Sequence, residues 1–208
     1  MKFLYADSID TVSPNYDFLN DRQPSDRKIF WDDEFAHEHL DNAPYDGVLV
    51  SRGIVGDHKI SGKYSQSQSM RFRRDGARKF LRLDDPKFDD LMIFGDCGAF
   101  TYVNHEKPPY SPMEILDFYE DGGFSHGCSP DHVIFQFEQK LKGMEDLPDP
   151  DEARAVRDRF EITLENAAGF YNESVHVGQD FTPLGVIQGW SPGSMAESAR
   201  RLVKMGYD

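Results

Sequence analysis

Five short apolar runs, each ending on or just before a polar residue, recur along the chain, and helical patterns separate the later ones. They are "KFLYADS" ending near Asp7, "YDGVLVSRG" ending at Ser51 and Arg52, "LMIFGDCGAF" ending at Asp96, "HGCSPDHVIF" holding Asp131, and "FTPLGVIQGW" ending at Gln188. The second, third and fifth runs are nearly continuous in apolar residues, as parallel strands covered on both faces require. Helical spacing is read over Ser65 to Leu83, with Met70, Ala77, Phe80 and Leu81 on one face. "SPMEILDFYEDGG" carries a capping box, with Ser111 as N-cap, Pro112 at the first helical position, Glu114 reaching back and Gly122 ending the helix. "PDPDEARAVRDRFEITLENAAGFYN" and "SPGSMAESARRLVKMGY" predict two more helices, the first with acidic residues in its first turn and the second stopping at Gly206. Residues 23–41 and 56–63 are expected to be loops, and 143–151 a polar approach to the long helix.

Alternation of this kind predicts an α/β fold. A doubly wound sheet would usually bring a Gly-rich phosphate loop, and neither G-x-G-x-x-G nor a P-loop lysine motif is present. A (β/α) barrel puts polar residues at the C-terminal ends of many strands, which is the pattern of Asp7, Ser51, Asp96, Asp131 and Gln188. The expectation is a TIM-type (β/α) barrel, incomplete, with about the first five βα units of eight. Because a half-barrel would leave parallel edges unpaired, residues 1–208 are expected to be the N-terminal part of a longer protein or of a split one.

Composition bounds the alternatives. No run of about 18 apolar residues is present, and the apolar start of "MKFLYADSID" is too short for a signal peptide. With two cysteines, Cys97 and Cys128, and no C-x-x-C pair, neither a disulfide framework nor a thiolate metal site is indicated. A cytoplasmic protein without a membrane partner is the expectation. The net charge is −14, a sign that opposes phosphate binding in bulk. It fits either an acidic, solubilising surface or a high-salt interior, where screening shortens charge interactions. The local exception is "MRFRRDGARKFLR", with Arg71, Arg73, Arg74, Arg78, Lys79 and Arg82. That stretch is a solvated helix face or a phosphate-contacting one.

The segment "GDCG" concentrates the chemistry. Gly95 and Gly98 flank Asp96 and Cys97, and glycines there allow close approach to the backbone. Asp96 either caps the following turn or belongs to a site. Asp131 and Gln188 hold matching positions on later strands, and two carboxylates plus an amide at one mouth could bind a purine edge. A carboxylate accepts from ring N–H and exocyclic amine, while the amide of Gln both donates and accepts. Cys97 and Cys128 are expected to be small core residues, and His132 a satisfied structural histidine. Arg52 would hold either a phosphate or a structural salt bridge.

"FGDCGAF" and "GVIQGW" resemble two segments of the tRNA-guanine transglycosylases, and "CSPDHVI" sits where that family carries a base-recognising Asp. The set "KFLYADS", "PYDGVLVSR", "GDCGAFTYVN", "PPYSPMEILDFYEDGGF", "DHVI", "ITLENAAGF" and "GVIQGWSP" is most similar to the divergent branch that inserts 7-deazaguanines into DNA. The resemblance spans nearly the whole chain. It implies a pentosyltransferase that exchanges guanine for a 7-deazaguanine in nucleic acid, with DNA favoured over tRNA. Asp96 would then be the catalytic proton acceptor, while Asp131, Gln188 and Gly189 would bind the base and Phe100 would offer a stacking platform, unless it is simply core. Cys97 and Ala99 depart from the family's usual Ser and Gly. By the same resemblance the nucleophilic Asp and a zinc subdomain would lie beyond residue 208, leaving no cofactor in this chain and an inactive fragment on its own. Alternatives are a queuine- or archaeosine-type tRNA enzyme, or a base-binding fragment that works with a complementing chain or as a homodimer.

Overall fold

A computed structural model describes residues 1–7, 9–28, 30–178 and 180–207. Five strands form one parallel sheet: β1 (Leu4–Ala6), β4 (Gly47–Ser51), β5 (Met92–Asp96), β6 (His126–Cys128) and β7 (Thr182–Leu184). Their spatial order is β1-β4-β5-β6-β7, the order of the chain, with every pairing parallel. A doubly wound sheet reverses its strand order at a switch point, and no reversal occurs among the described residues. The expected α/β class is therefore observed. Each strand is shorter than its apolar run, and Ser8, at the end of the first run, lies outside the described residues.

The connections carry α1 (Arg52–Val55), α2 (Gln66–Phe80), α3 (Pro112–Gly122), α4 (Pro150–Val177) and α5 (Pro192–Met205). The capping box of α3 forms as expected: Glu114 N–H donates to Ser111 Oγ, and Ser111 N–H to Glu114 Oε2 at 2.9 Å. Gly122 is the last helical residue, and Gly123, at φ 65°, makes the left-handed stop. Three expectations need correction. The helix drawn to Leu83 ends at Phe80, breaks its geometry at Gly76, and exposes Met70 rather than burying it. The long helix continues five residues beyond Asn172, to Val177, where Gly178 turns left-handed. The first strand is followed by no α-helix among the described residues. Its return carries instead a two-stranded antiparallel ladder, β2 (Thr11–Val12) with β3 (Glu34–Phe35), and a short 3-10 turn at Ala36–Glu38. Pairing only two residues per strand, the ladder is too short for any alternation pattern to show in sequence.

One sheet face is buried against helices, and the other is covered only in part, with Gly47 and Ser51 buried on it. Val48, Val50, Ile93, Gly95 and Gly127 are buried, whereas the alternate residues Leu49, Phe94, Asp96, His126 and Cys128 are only partly covered. Gly95 and Gly127 are glycines for a packing reason, because the ring of the fully buried Tyr119 on α3 lies where their Cβ atoms would stand. The Tyr119 hydroxyl then donates to the Cys128 carbonyl at 3.0 Å. On the partly covered face Phe94 and His126 stack, with centroids 6.0 Å apart. One apolar cluster fills the space under α2 and α3, and a second lies around Trp190 between α4 and α5. No helix among the described residues is long and apolar enough to cross a membrane.

Candidate active site

The C-terminal edge of the sheet gathers the polar strand-end residues. Asp96 is the last residue of β5, in register with Ser51 on β4. Its Oδ2 accepts the Gly98 N–H at 3.0 Å. The capping role is thus real, and it turns the chain at Gly98, whose φ of 88° favours glycine. Oδ1 of Asp96 has no hydrogen-bond partner among the described residues. The carboxylate is half-buried and on the partly covered face, so the cap leaves one oxygen available.

Asp131 lies three residues beyond β6, in an extended segment rather than in a strand. It is 5% exposed. The Cys97 thiol donates to its Oδ1 at 3.0 Å, and Gln188 Nε2 donates to its Oδ2 at 2.7 Å. Burial pushes the Asp131 carboxyl above the usual carboxylate range, the nearby Asp96 charge adds to the rise, and the Cys97 and Gln188 donors oppose it. Gln188 sits four residues past β7, and its Oε1 accepts the Ile134 N–H at 3.2 Å. Gly189 packs its backbone against the first turn of α5, with no room for a Cβ beside Met195 and Ser194. Asp131 and Gln188 are therefore joined to each other. Each keeps capacity for a ligand: further lone pairs on the carboxylate, and a second N–H and a second lone pair on the amide.

Both cysteine thiols sit where the thiolate is disfavoured. Cys97 is fully buried, and burial with the Asp131 and Asp96 charges holds its thiol well above the ordinary range. Cys128 is pushed up to about 12, by burial first and then by the same two carboxylates. Cys97 is nevertheless more than core filling. Its thiol fixes Asp131, and the Tyr102 hydroxyl, 3.1 Å from Cys97 Sγ, donates to the Asp131 carbonyl. No sequence pattern marks that contact, because the partners are 34 positions apart.

Phe100 is not a core residue. It is 75% exposed and tilts toward Phe135, which is 60% exposed, with ring centroids 6.1 Å apart. His132 is buried but only half satisfied, against expectation: Nε2 pairs with the His105 carbonyl at 2.8 Å, Nδ1 has no partner among the described residues, and burial lowers its pKa. Asp7 is likewise committed, accepting from Tyr64 Oη at 2.5 Å and from Ile9 N–H. Arg52 makes the structural salt bridge, 2.7 Å from Asp57, with its guanidinium 4.8 Å from the ring centres of both Tyr110 and Phe118. The arginine-rich stretch is solvated at Arg73, Arg74 and Lys79, while its other members are engaged within the fold. Arg78 donates to the Phe88, Asp89 and Leu91 carbonyls, Arg82 holds Glu38 and two carbonyls, and Arg71 and Arg74 both pair with Asp75. Among the described residues no group of three or more His, Cys, Asp or Glu could hold a metal ion.

No family model matches the chain. Over all 208 residues it is 37% identical to a DNA-guanine transglycosylase from Salmonella montevideo. The chain is a relative of that transglycosylase. It spans 47% of the relative's length. The resemblance carried by the seven sequence motifs is borne out, including its direction toward the DNA-modifying branch.

Proposed function

We propose that this chain is the base-recognising part of a transglycosylase that exchanges guanine for a 7-deazaguanine in DNA. The observation that carries this reading is the joining of Asp131 and Gln188 at the sheet's C-terminal edge, in a chain similar along its whole length to a DNA-guanine transglycosylase. The monotonic strand order and the partly covered sheet face support a (β/α) barrel of which these five strands are one arc. The edges of β1 and β7 are where further strands would add.

In the exchange, the glycosidic C–N bond to guanine breaks and a new one forms to the incoming base. The departing base takes up a proton, and the incoming one must lose its ring N–H proton. Asp96 is the acceptor for that proton, through the carboxylate oxygen that does not cap Gly98. Asp131 accepts from the ring N–H and exocyclic amine of the base, and Gln188 donates to its carbonyl. The Cys97 thiol and the Gln188 amide hold the Asp131 carboxylate in one orientation before a base arrives, which lowers the cost of ordering on binding. Phe100 supplies a stacking surface. The attacking carboxylate comes from outside this stretch, in the same protein or in a complementing one.

The test is incorporation of labelled guanine into DNA and, in parallel, into tRNA. Label entering DNA and not tRNA is the expected result. Label in neither, with the remaining part of the enzyme supplied, would refute the proposal.

A further inference from the structure

Resting on the transglycosylase reading, we propose that Tyr102 is a positioning residue for base recognition, whose buried hydroxyl sets the Asp131 carboxylate from beneath the site. Asp131 sits on backbone that belongs to no strand, so no sheet ladder holds it. Side chains hold the segment instead. Thr163 Oγ1 accepts the His132 N–H at 3.0 Å, and Gln188 Oε1 accepts the Ile134 N–H at 3.2 Å. Arg159, from α4, donates to the Val133 carbonyl at 2.7 Å and to the Val103 carbonyl at 2.9 Å, a brace between two loops. The carbonyl of Asp131 itself is taken by the Tyr102 hydroxyl at 3.1 Å.

Tyr102 ends the short 3-10 turn Ala99–Tyr102 that follows the Asp96 cap, and it is 1% exposed. Tyr110 and His132 meet its ring edge-on, each with centroids 6.3 Å away, so packing fixes where the hydroxyl points. The same oxygen lies 3.1 Å from Cys97 Sγ, and the Cys97 thiol donates to Asp131 Oδ1 at 3.0 Å. The phenol therefore acts on Asp131 by two routes: directly at the main-chain carbonyl, and through Cys97 at the carboxylate. Burial first, then Cys97 and the Asp131 and Asp96 charges, raise the phenol's pKa, so the hydroxyl keeps its proton and stays a donor. Gln188 Nε2 holds the other carboxylate oxygen at 2.7 Å. Removing the phenol oxygen frees the carbonyl and loosens the seat of the thiol, and leaves only the Gln188 contact intact. Asp96 is held separately, by the Gly98 N–H, so the proton acceptor keeps its place. Base affinity should therefore depend on Tyr102, and the exchange step should not.

The experiment measures kcat and the KM for labelled guanine entering DNA, using the full protein unaltered, with Tyr102→Phe, with Asp131→Asn and with both changes, and records each thermal midpoint. Tyr102→Phe keeps the ring and removes only the hydroxyl. It should raise the KM for guanine by roughly tenfold, the effect of one buried hydrogen bond, and leave kcat within about twofold. In the Asp131→Asn background the same change should move KM by less than about twofold, because two positions that act through one group are not additive. A purely structural hydroxyl would lower the midpoint and leave the KM unmoved in both backgrounds. If Tyr102→Phe leaves the KM within about twofold of the unaltered value, or raises it equally in the Asp131→Asn background, the inference fails and the transglycosylase reading stands. If Tyr102→Phe does not fold, Cys97→Ala, which keeps the ring and removes the donor to Oδ1, is judged by the same KM outcomes. If the unaltered protein puts no label into DNA, the reading fails and the inference falls with it.

Discussion

Replacing Asp131 by Asn should stabilise the fold while damaging the site. Asp131 is nearly fully buried, and its carboxyl is held above the ordinary value by burial and by Asp96, despite donors from Cys97 and Gln188. A raised pKa means that the folded surroundings favour the neutral acid, and Asn is the neutral isostere. Its Oδ1 can still accept from Gln188 Nε2, and its N–H₂ faces the Cys97 sulfur, a weak acceptor. The loss is the Cys97 hydrogen bond and the charge assistance of the Gln188 one; the gain is relief of a buried charge. The direction of the pKa says that the gain is larger. A stabilisation on the order of 1 kcal/mol at pH 8 follows, about 2–4 °C in Tm for a chain of this size. The sign also fixes the pH dependence. The folded state binds the Asp131 proton more tightly than the unfolded state, so the unaltered chain loses stability as pH rises from near the ordinary Asp value, 3.8, through the folded value. Asp131→Asn has no such loss, so the two chains should converge in acid and separate at pH 8. Guanine binding should meanwhile weaken by about 1–3 kcal/mol, because a donor on the base is left unpaired. Thermal unfolding between pH 4 and pH 8 reads the first effect and calorimetry reads the second. An Asp131→Asn chain less stable than the unaltered one at pH 8 would refute the reasoning.

Three further outcomes are expected. Gly127→Ala should cost about 1–3 kcal/mol by overpacking against the Tyr119 ring; an unchanged midpoint in denaturant would show that the ring yields. Arg52→Ala should cost about 3 kcal/mol, the low end for a broken buried pair because Arg73 stays 3.7 Å from Asp57, and a midpoint within error of the unaltered chain would contradict it. With a net charge of −14, unfolding midpoints should rise from low to molar potassium chloride as like-charge repulsion is screened; a flat or falling series would count against that.

The sequence exposed what is local. Ser111, Pro112 and Glu114 announced the start of α3, and the apolar runs located all five parallel strands. Asp96, Asp131 and Gln188 were legible because each follows a buried run. The long-range contacts were not. The Cys97 thiol on Asp131, the Tyr119 ring over Gly95 and the Arg159 brace each join residues more than twenty positions apart, and single-chain periodicity carries no information about such pairs. Phe100 shows the limit for an aromatic residue: core and platform have the same sequence signature, and only its exposure beside Phe135 separates them. The arginine-rich stretch failed differently. Arg71 and Arg74 meet Asp75 within the stretch, but Arg78 and Arg82 are matched by carbonyls and a carboxylate from other segments, which no local pattern reveals.

The most direct measurement is mass spectrometry of nucleosides from the DNA and tRNA of cells producing the full protein, unaltered or with Asp96→Asn. Asn can still accept the Gly98 N–H, so the turn should survive with a loss of about 1 kcal/mol or less, but it cannot accept a proton, and exchange should fall by roughly 10²-fold or more. The account predicts 7-deazaguanine nucleosides in DNA with the unaltered protein, none in tRNA, and their near disappearance from DNA with Asp96→Asn. An undiminished level in the variant, accompanied by a drop of several degrees in its thermal midpoint, would show that Asp96 is only a structural cap and would contradict the account.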